Sequence, residues 1–307
     1  MRKHKFAPSW GMTRRTFVVA VVLFVAASFL TLACHSGANA SLALRGNAVY
    51  YWRTVFQLDS AERAFLANYN IKRIYCRYFD VVNNERLEPT PNATIQFAQS
   101  KPDSVEIVPV VFIMNDCMQQ HHQGLAQKLV RRVAQMNETN DIGGVRELQI
   151  DCDYTARNRD TYYAFLKEVK REAAAHGIAV STTVRLHQLA MPEPPVEYGV
   201  LMLYNTGDPA RFAERNPILD LRDVKPYLRY LKDYSLPMAA AYPVFLWQRE
   251  IHGTLINHVA DFEDIVRTKR LVEAEREDLR SLILTYHLDS ENLKRYTSTQ
   301  YETIYHH

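Results

Sequence analysis

The chain lacks most of the short motifs that announce a reaction. No Gly-rich phosphate loop follows its first strand-like run, and no Gly-x-Ser-x-Gly elbow is present, so Ser-based hydrolysis of that type has no support. A formal net charge of +3 without a basic patch gives no reason to expect a nucleic-acid partner. Cysteine is scarce: Cys34, Cys76, Cys117 and Cys152. With Cys34 set aside, an odd number remains, which is a poor disulfide framework. Cys76 and Cys152 lie in strand-like runs and read as small buried hydrophobes. Asp116, Cys117, His121 and His122 cluster in sequence, but their spacing matches no established zinc pattern. Neither a metal nor another cofactor is expected. No internal repeat, linker or second folded domain is visible.

Acid is also missing from the first sixteen residues, which carry Arg2, Lys3, Lys5, Arg14 and Arg15. An apolar run from Phe17 to Ala33 follows. A charged start, an apolar middle and small residues at the end make a secretion signal. The run lies near the lower length limit for a membrane span, so length alone does not separate a cleaved signal from a retained helix. Leu30-Thr31-Leu32-Ala33-Cys34 resembles the lipobox of bacterial lipoproteins, in which cleavage before the cysteine frees a thiol for acylation. It departs from that pattern in having Thr31 where the family usually has leucine. Thr13-Arg14-Arg15-Thr16-Phe17 resembles a twin-arginine export motif, without the rest of that motif. The expected organisation is a signal over 1–33, a lipid-anchored tether over 34–47 and one folded domain over 48–307. The protein is expected to be exported and held by lipid on Cys34 in the cell envelope, with the membrane as a partner.

Eight segments of the folded part read as strands, rich in β-branched and aromatic residues: Ala48–Phe56, Lys72–Val82, Val105–Asn115, Arg146–Tyr154, Ala179–His187, Gly199–Asn205, Met238–Trp247 and Leu282–Leu288. Amphipathic helical stripes separate many of them, such as Leu125, Leu129, Val130 and Val133, or Tyr162, Tyr163, Leu166 and Val169. Ser60 reads as a helix cap, and Phe262 to Leu279 as a long charged helix. This alternation predicts an α/β fold, a (β/α)8 TIM-like barrel. Its second and fifth units should be irregular, because 83–102 is rich in Pro and Asn and the segment after His187 contains Pro192, Pro194 and Pro195. A doubly wound open sheet is the alternative.

Reactive groups in such barrels sit at the C-terminal ends of the strands. Here those ends carry Asp80, Asn115-Asp116, Asp151-Cys152-Asp153, Arg185-Leu186-His187, Tyr204-Asn205, Trp247 and His287-Leu288-Asp289. Period-two alternation places Asp151 and Asp153 on one face, Arg185 and His187 on one face, and His287 and Asp289 on one face. If Ile150 and Cys152 face the helices, both aspartates point into the barrel mouth. Two carboxylates beside a guanidinium and an imidazole can hold one acid and one base, which is what glycoside cleavage needs. Each residue also has a structural reading: the aspartates as partners of Arg185, the histidines as polar core residues, Tyr204 and Trp247 as packing.

The run Glu147-Leu148-Gln149-Ile150-Asp151-Cys152-Asp153-Tyr154 resembles the fourth strand of family-18 chitinase-like barrels, whose pattern is Asp-x-x-Asp-x-Asp-x-Glu. Asp151 and Asp153 match the two later aspartates. Leu148 stands in place of the first acid, and Thr155 in place of the proton-donating glutamate. The wider layout, from Tyr50-Tyr51-Trp52 to Tyr286-His287-Leu288-Asp289, is similar to uncharacterised bacterial TIM-barrel lipoproteins of the glycoside-hydrolase-like superfamily. The resemblance implies a glycan as substrate or ligand. On this reading Asp151 and Asp153 are the candidate catalytic pair, and Asp80, Arg185, His187, Tyr204, Asn205, Trp247, His287 and Asp289 bind substrate. The alternative is a non-catalytic glycan-binding protein on a degenerate barrel.

Overall fold

A computed structural model describes residues 44–306. The expected signal, Cys34 and the expected tether up to residue 43 lie outside the described residues. From Leu44 onward the chain forms a single compact unit.

Eight parallel strands form a closed ring: β1 (Gly46–Tyr51), β2 (Ile71–Asn83), β3 (Glu106–Ile113), β4 (Glu147–Cys152), β5 (Ala179–Val184), β6 (Tyr198–Met202), β7 (Met238–Pro243) and β8 (Leu282–Tyr286). Each pairs with the next, and β8 pairs with β1, Gly46 opposite Leu282 and Val49 opposite Thr285. The helices between strands are α1 (Ser60–Asn68), α2 (Leu125–Thr139), α3 (Arg159–Ala174), α4 (Leu221–Leu231) and α5 (Phe262–Glu275), followed by α6 (Ser290–Leu293) and α7 (Ser298–Tyr305). The fold is the predicted TIM-like barrel.

The helices form where a stripe of apolar side chains can be laid on the ring. In α3 this stripe is Tyr162, Phe165, Leu166, Val169 and Ala173, all buried. Each of the larger ones contributes roughly 1.5–3 kcal/mol on burial. The cap of α1 lies one residue before the expected Ser60: Asp59 accepts from the Glu62 backbone N–H while the Glu62 side chain accepts from the Asp59 N–H, a reciprocal cap. The two irregular units are also present. Between β2 and β3 the chain makes only two short strands, Pro89–Asn92 and Gln96–Phe97, and after β5 only a 3₁₀ turn, Leu186–Ala190. Gly199 allows β6 to lie close to its neighbours, since a Cβ there would sit 2.9 Å from Val184 Cγ2.

All strands but β2 end earlier than expected, three of them with consequences for the mouth. β1 ends at Tyr51, because the Tyr51 hydroxyl donates to Val55 O and accepts from Gln57 N, curling the chain away. β6 ends at Met202. β7 ends at Pro243, and Leu246–Ile251 pairs antiparallel with Thr254–Val259 instead. The connecting His252 and Gly253 both have positive φ, 50° and 75°, the requirement of a tight hairpin turn.

Candidate functional site

The inner face of β4 is polar from floor to mouth. Glu147, Gln149 and Asp151 are all buried, and each is met by side chains from the strands facing it. Glu147 accepts from Ser181 Oγ at 2.6 Å and Tyr75 Oη at 3.2 Å. Gln149 Oε1 accepts from Tyr50 Oη at 2.8 Å. Asp151 Oδ1 accepts from Thr183 Oγ1 at 2.6 Å and Arg185 Nη2 at 3.3 Å. Partners of this kind are what make buried carboxylates tolerable. The outward face of the next strand is fixed by Thr182, whose hydroxyl bonds to Tyr162 of α3 at 2.7 Å.

Asp153 lies just past the end of β4, with 58% of its side chain exposed. Its Oδ1 is 3.8 Å from Arg185 Nε and 3.8 Å from His187 Nε2. Arg185 therefore spans the two aspartates, one buried beneath it and one open to solvent, and its other amino group rests on the Met202 sulfur. Burial works against its charge, but Asp151, Tyr204 and Asp153 more than offset that and hold its pKa above the usual range.

A bulge decides where Asp80 points. The register with β3 runs Arg77 to Val110 and then Phe79 to Val111, so Tyr78 is an extra residue. Tyr78 donates to Asn137 of α2, and Phe79 carries the Arg132 guanidinium of α2 over its ring. Both thus face the helices, and Arg77 and Asp80 fall on the inner side together, joined at 2.7 Å from Nε to Oδ1. The Arg77 guanidinium also lies 5.6 Å from the Trp52 ring centre.

Tyr286 is the centre of an aromatic floor. Its ring stacks on Tyr204 at 4.6 Å, and Phe245, Trp52 and Tyr50 stand at 5.3, 5.7 and 5.8 Å. Burial raises the pKa of Tyr204 and Tyr286 well above the phenol norm, so both hydroxyls stay neutral. The Tyr204 hydroxyl is buried without a protein partner. Asp151 and Arg185 act electrostatically on both phenols, which places the charged cluster beside the aromatic one.

Other residues expected at the site are placed elsewhere or are already occupied. Trp247 is on the hairpin after β7 and packs against Phe212 at 5.4 Å; it left the barrel when β7 ended at Pro243. Asn205 is exposed at φ 52° in the loop after β6. Asp289 is the N-cap of α6, accepting from the Glu291 and Asn292 backbone N–H groups. His287 lies beyond the end of β8, half shielded, with Nε2 3.4 Å from Asn292 Nδ2, and burial lowers its pKa. His187 Nε2 is 3.2 Å from Tyr154 O. Thr155, where the chitinase-like pattern has glutamate, is tied by its backbone N–H and its hydroxyl to Asn158 Oδ1. Within the Asp116–His122 segment His121 pairs with Glu168 at 2.8 Å. Among the described residues no group of three metal-ligating side chains is found.

Sequence reasoning gave no site role to Tyr50, Trp52, Arg77, Thr183 or Tyr286. Period-two spacing from Tyr50 to Trp52, and from Ser181 through Thr183 to Arg185, was the available signal. Next to this mouth a groove of about 610 Å³ is lined by Trp52, Arg53, Thr54, Val55, Gln57, Asp59 and Glu62. It shares Trp52 with the mouth and does not include Asp151 or Asp153.

No protein-family model and no curated protein matches the chain. Solved structures do. A chitinase from Chromobacterium violaceum superposes with a TM-score of 0.54 at 12% identity, over 85% of this chain and 98% of that one. A chitinase from Bacteroides thetaiotaomicron gives 0.54 at 10%, over 84% and 93%. The spore cortex-lytic enzyme SleL of Bacillus cereus gives 0.51 at 14%, over 82% and 74%. The barrel has the fold of these enzymes. At such identities the likeness is one of fold, and function has to be argued from the mouth itself.

Proposed function

We propose that the barrel mouth acts on a glycan, with Asp153 as the general acid or base and Asp151 holding Arg185 in place beside it. The observation that carries this is the Arg185 guanidinium, which is anchored from below by buried Asp151 and reaches the exposed Asp153. A carboxylate open to the mouth, a fixed cation and aromatic rings together suit a sugar, whose apolar ring face packs on aromatic surfaces while its hydroxyls take polar partners. The chitinases and the cortex-lytic enzyme that share the fold support the choice of substrate class. The proposal predicts that the wild type cleaves a member of a panel of chitin oligosaccharides, peptidoglycan fragments and neutral glucans. Asp153→Asn should lower kcat at least about a hundredfold, the lower end of what a general acid or base contributes. Undiminished turnover removes Asp153 from the mechanism.

One observation favours a second reading, a barrel that binds glycan without cleaving it: the position of the family's proton donor is Thr155, engaged with Asn158. Binding by calorimetry with no product from any panel member selects that reading, and product formation excludes it.

We also propose export and a lipid on Cys34. The expected result is incorporation of a labelled fatty acid into the wild type, with loss of both label and membrane association in Cys34→Ala. A wild type that carries no label, or a variant that keeps it, rejects the anchor.

A further inference from the structure

We propose that the foot of the barrel, under β1, β2 and β3, rests on an anionic membrane surface, with the groove between α1 and the start of β3 taking a phospholipid headgroup. This rests on the reading of a membrane-held chain and goes beyond it in naming the face of the folded part that meets the bilayer. The groove has a volume of about 250 Å³, and its walls include Arg63 and Leu66 of α1, Ile71 and Lys72 of β2, and Ser104 and Val105 just before β3. Leu66, Ile71 and Val105 are buried, while Arg63, Lys72 and Ser104 are exposed. The groove therefore has an apolar floor and a rim of two cations and a hydroxyl, with no carboxylate among its lining side chains. That combination suits a phosphodiester whose charge sits at the rim while its carbon atoms cover the floor.

The surroundings carry the same sign. Arg45 is exposed two residues before Asn47, which pairs with Ile71 in the strand register. Lys101 Nζ donates to Val105 O at 3.0 Å. Glu106 is already taken, by Arg73 at 3.4 Å and Arg146 at 2.9 Å. Asp103, and Glu302 acting on Tyr69, are the opposing acids. Among the described residues no carboxylate pairs with Arg45, Arg63, Lys72 or Lys101. The mouth is different, since Arg53 faces Glu62, Arg77 faces Asp80 and Arg185 faces Asp151 there.

Position commits the partner to a bilayer. The described chain enters at Leu44, at the foot of β1, ten residues after Cys34. Ten residues span at most ~36 Å, so a Cys34 held in lipid keeps this face close to the surface. Tethering of that kind populates contacts too weak to form alone. Each basic side chain near an anionic surface favours contact about fivefold. The eight parallel strands run from this foot to the mouth, so a barrel seated here opens away from the bilayer.

The test is hydrogen exchange on the full chain reconstituted into vesicles of phosphatidylcholine, alone or with about one-third phosphatidylglycerol. Wild-type amides over 66–72 and 103–106 should exchange several-fold more slowly in the anionic vesicles than in the neutral ones. Salt at about 1 M, which cuts the screening length to ~3 Å, should remove the difference. Arg63→Glu combined with Lys72→Glu, two exposed reversals, should lose the protection. Lys72→Glu alone should lose part of it, and Lys225→Glu, an exposed reversal on α4, should keep all of it. Equal exchange in the two lipids, or protection in the double variant equal to wild type, overturns the proposal. So does the same protection produced by inorganic phosphate without vesicles, which makes the groove a site for a dissolved anion. A wild type that takes no label on Cys34 in the experiment above rejects the lipid anchor; slower exchange at the foot in anionic vesicles then still upholds the contact.

Discussion

At the scale of single residues, two titratable groups shielded from water are handled in opposite ways. Asp151 keeps a charged partner and a hydroxyl donor, Arg185 and Thr183, and so can stay buried beside the mouth. His287 is half shielded and has no acceptor for a second imidazole proton: Nδ1 has no protein partner, and Asn292 Nδ2 is the neighbour of Nε2. Burial lowers its pKa, and the charge of Arg53 adds to this, while Asp289 and a backbone bond near Leu288 oppose it. The folded state therefore favours the neutral imidazole. A base whose pKa is depressed on folding contributes stability that is fully present above its unfolded value, about 6.5, and is lost as pH falls through the lower folded value. Wild-type Tm should thus decline more steeply between pH 7 and pH 5 than the Tm of His287→Gln, which keeps an acceptor for Asn292 but cannot protonate in that window. Thermal unfolding at four pH values across this range checks it, and parallel declines in the two proteins would refute it.

At the scale of elements, the strands were readable because each is a β-branched or aromatic run bounded by turn residues, and the ring follows from their alternation with helices. The pair of acids at the end of β4 was readable for the same reason: Gln149, Asp151 and Asp153 alternate with Ile150, Cys152 and Tyr154, so one face is polar. What stayed hidden depends on contacts between elements far apart in sequence. The extra residue at Tyr78 turns Asp80 inward only because Tyr78 and Phe79 both find partners on α2, and nothing near Asp80 in the chain announces this. Met238 to Trp247 reads as one apolar run, and the break at Pro243 shows only through the turn at His252-Gly253, several residues later. The aromatic floor joins rings from β1, β8 and the segments after β6 and β7. Composition offers no reason to choose those among 18 tyrosines.

At the scale of the whole molecule, the barrel exists only if its first and last strands meet, and the chain's end is used to fasten them. Tyr305 of α7 accepts from Thr285 Oγ1 on β8 at 2.6 Å and donates to Ala48 O on β1 at 3.3 Å, a link between residues 257 positions apart. Around it Tyr301 packs edge-on against Phe65 of α1 at 4.9 Å, and Tyr305 stacks with Tyr69 at 5.8 Å. Closing so long a loop costs chain entropy that only contacts at the seam repay. Removing residues 297–307 uncovers what Tyr301, Ile304 and Tyr305 bury, a loss on the order of 5 kcal/mol, comparable with the whole stability of a domain. Hydrogen exchange should then show β1 and β8 losing protection first, with β4 and β5 retaining theirs. The milder Tyr305→Phe removes the hydroxyl link alone; it should cost about 1 kcal/mol in denaturant unfolding and raise exchange at β1 and β8 without unfolding the protein. Protection lost evenly around the ring in Tyr305→Phe would mean that the seam is not where the barrel opens.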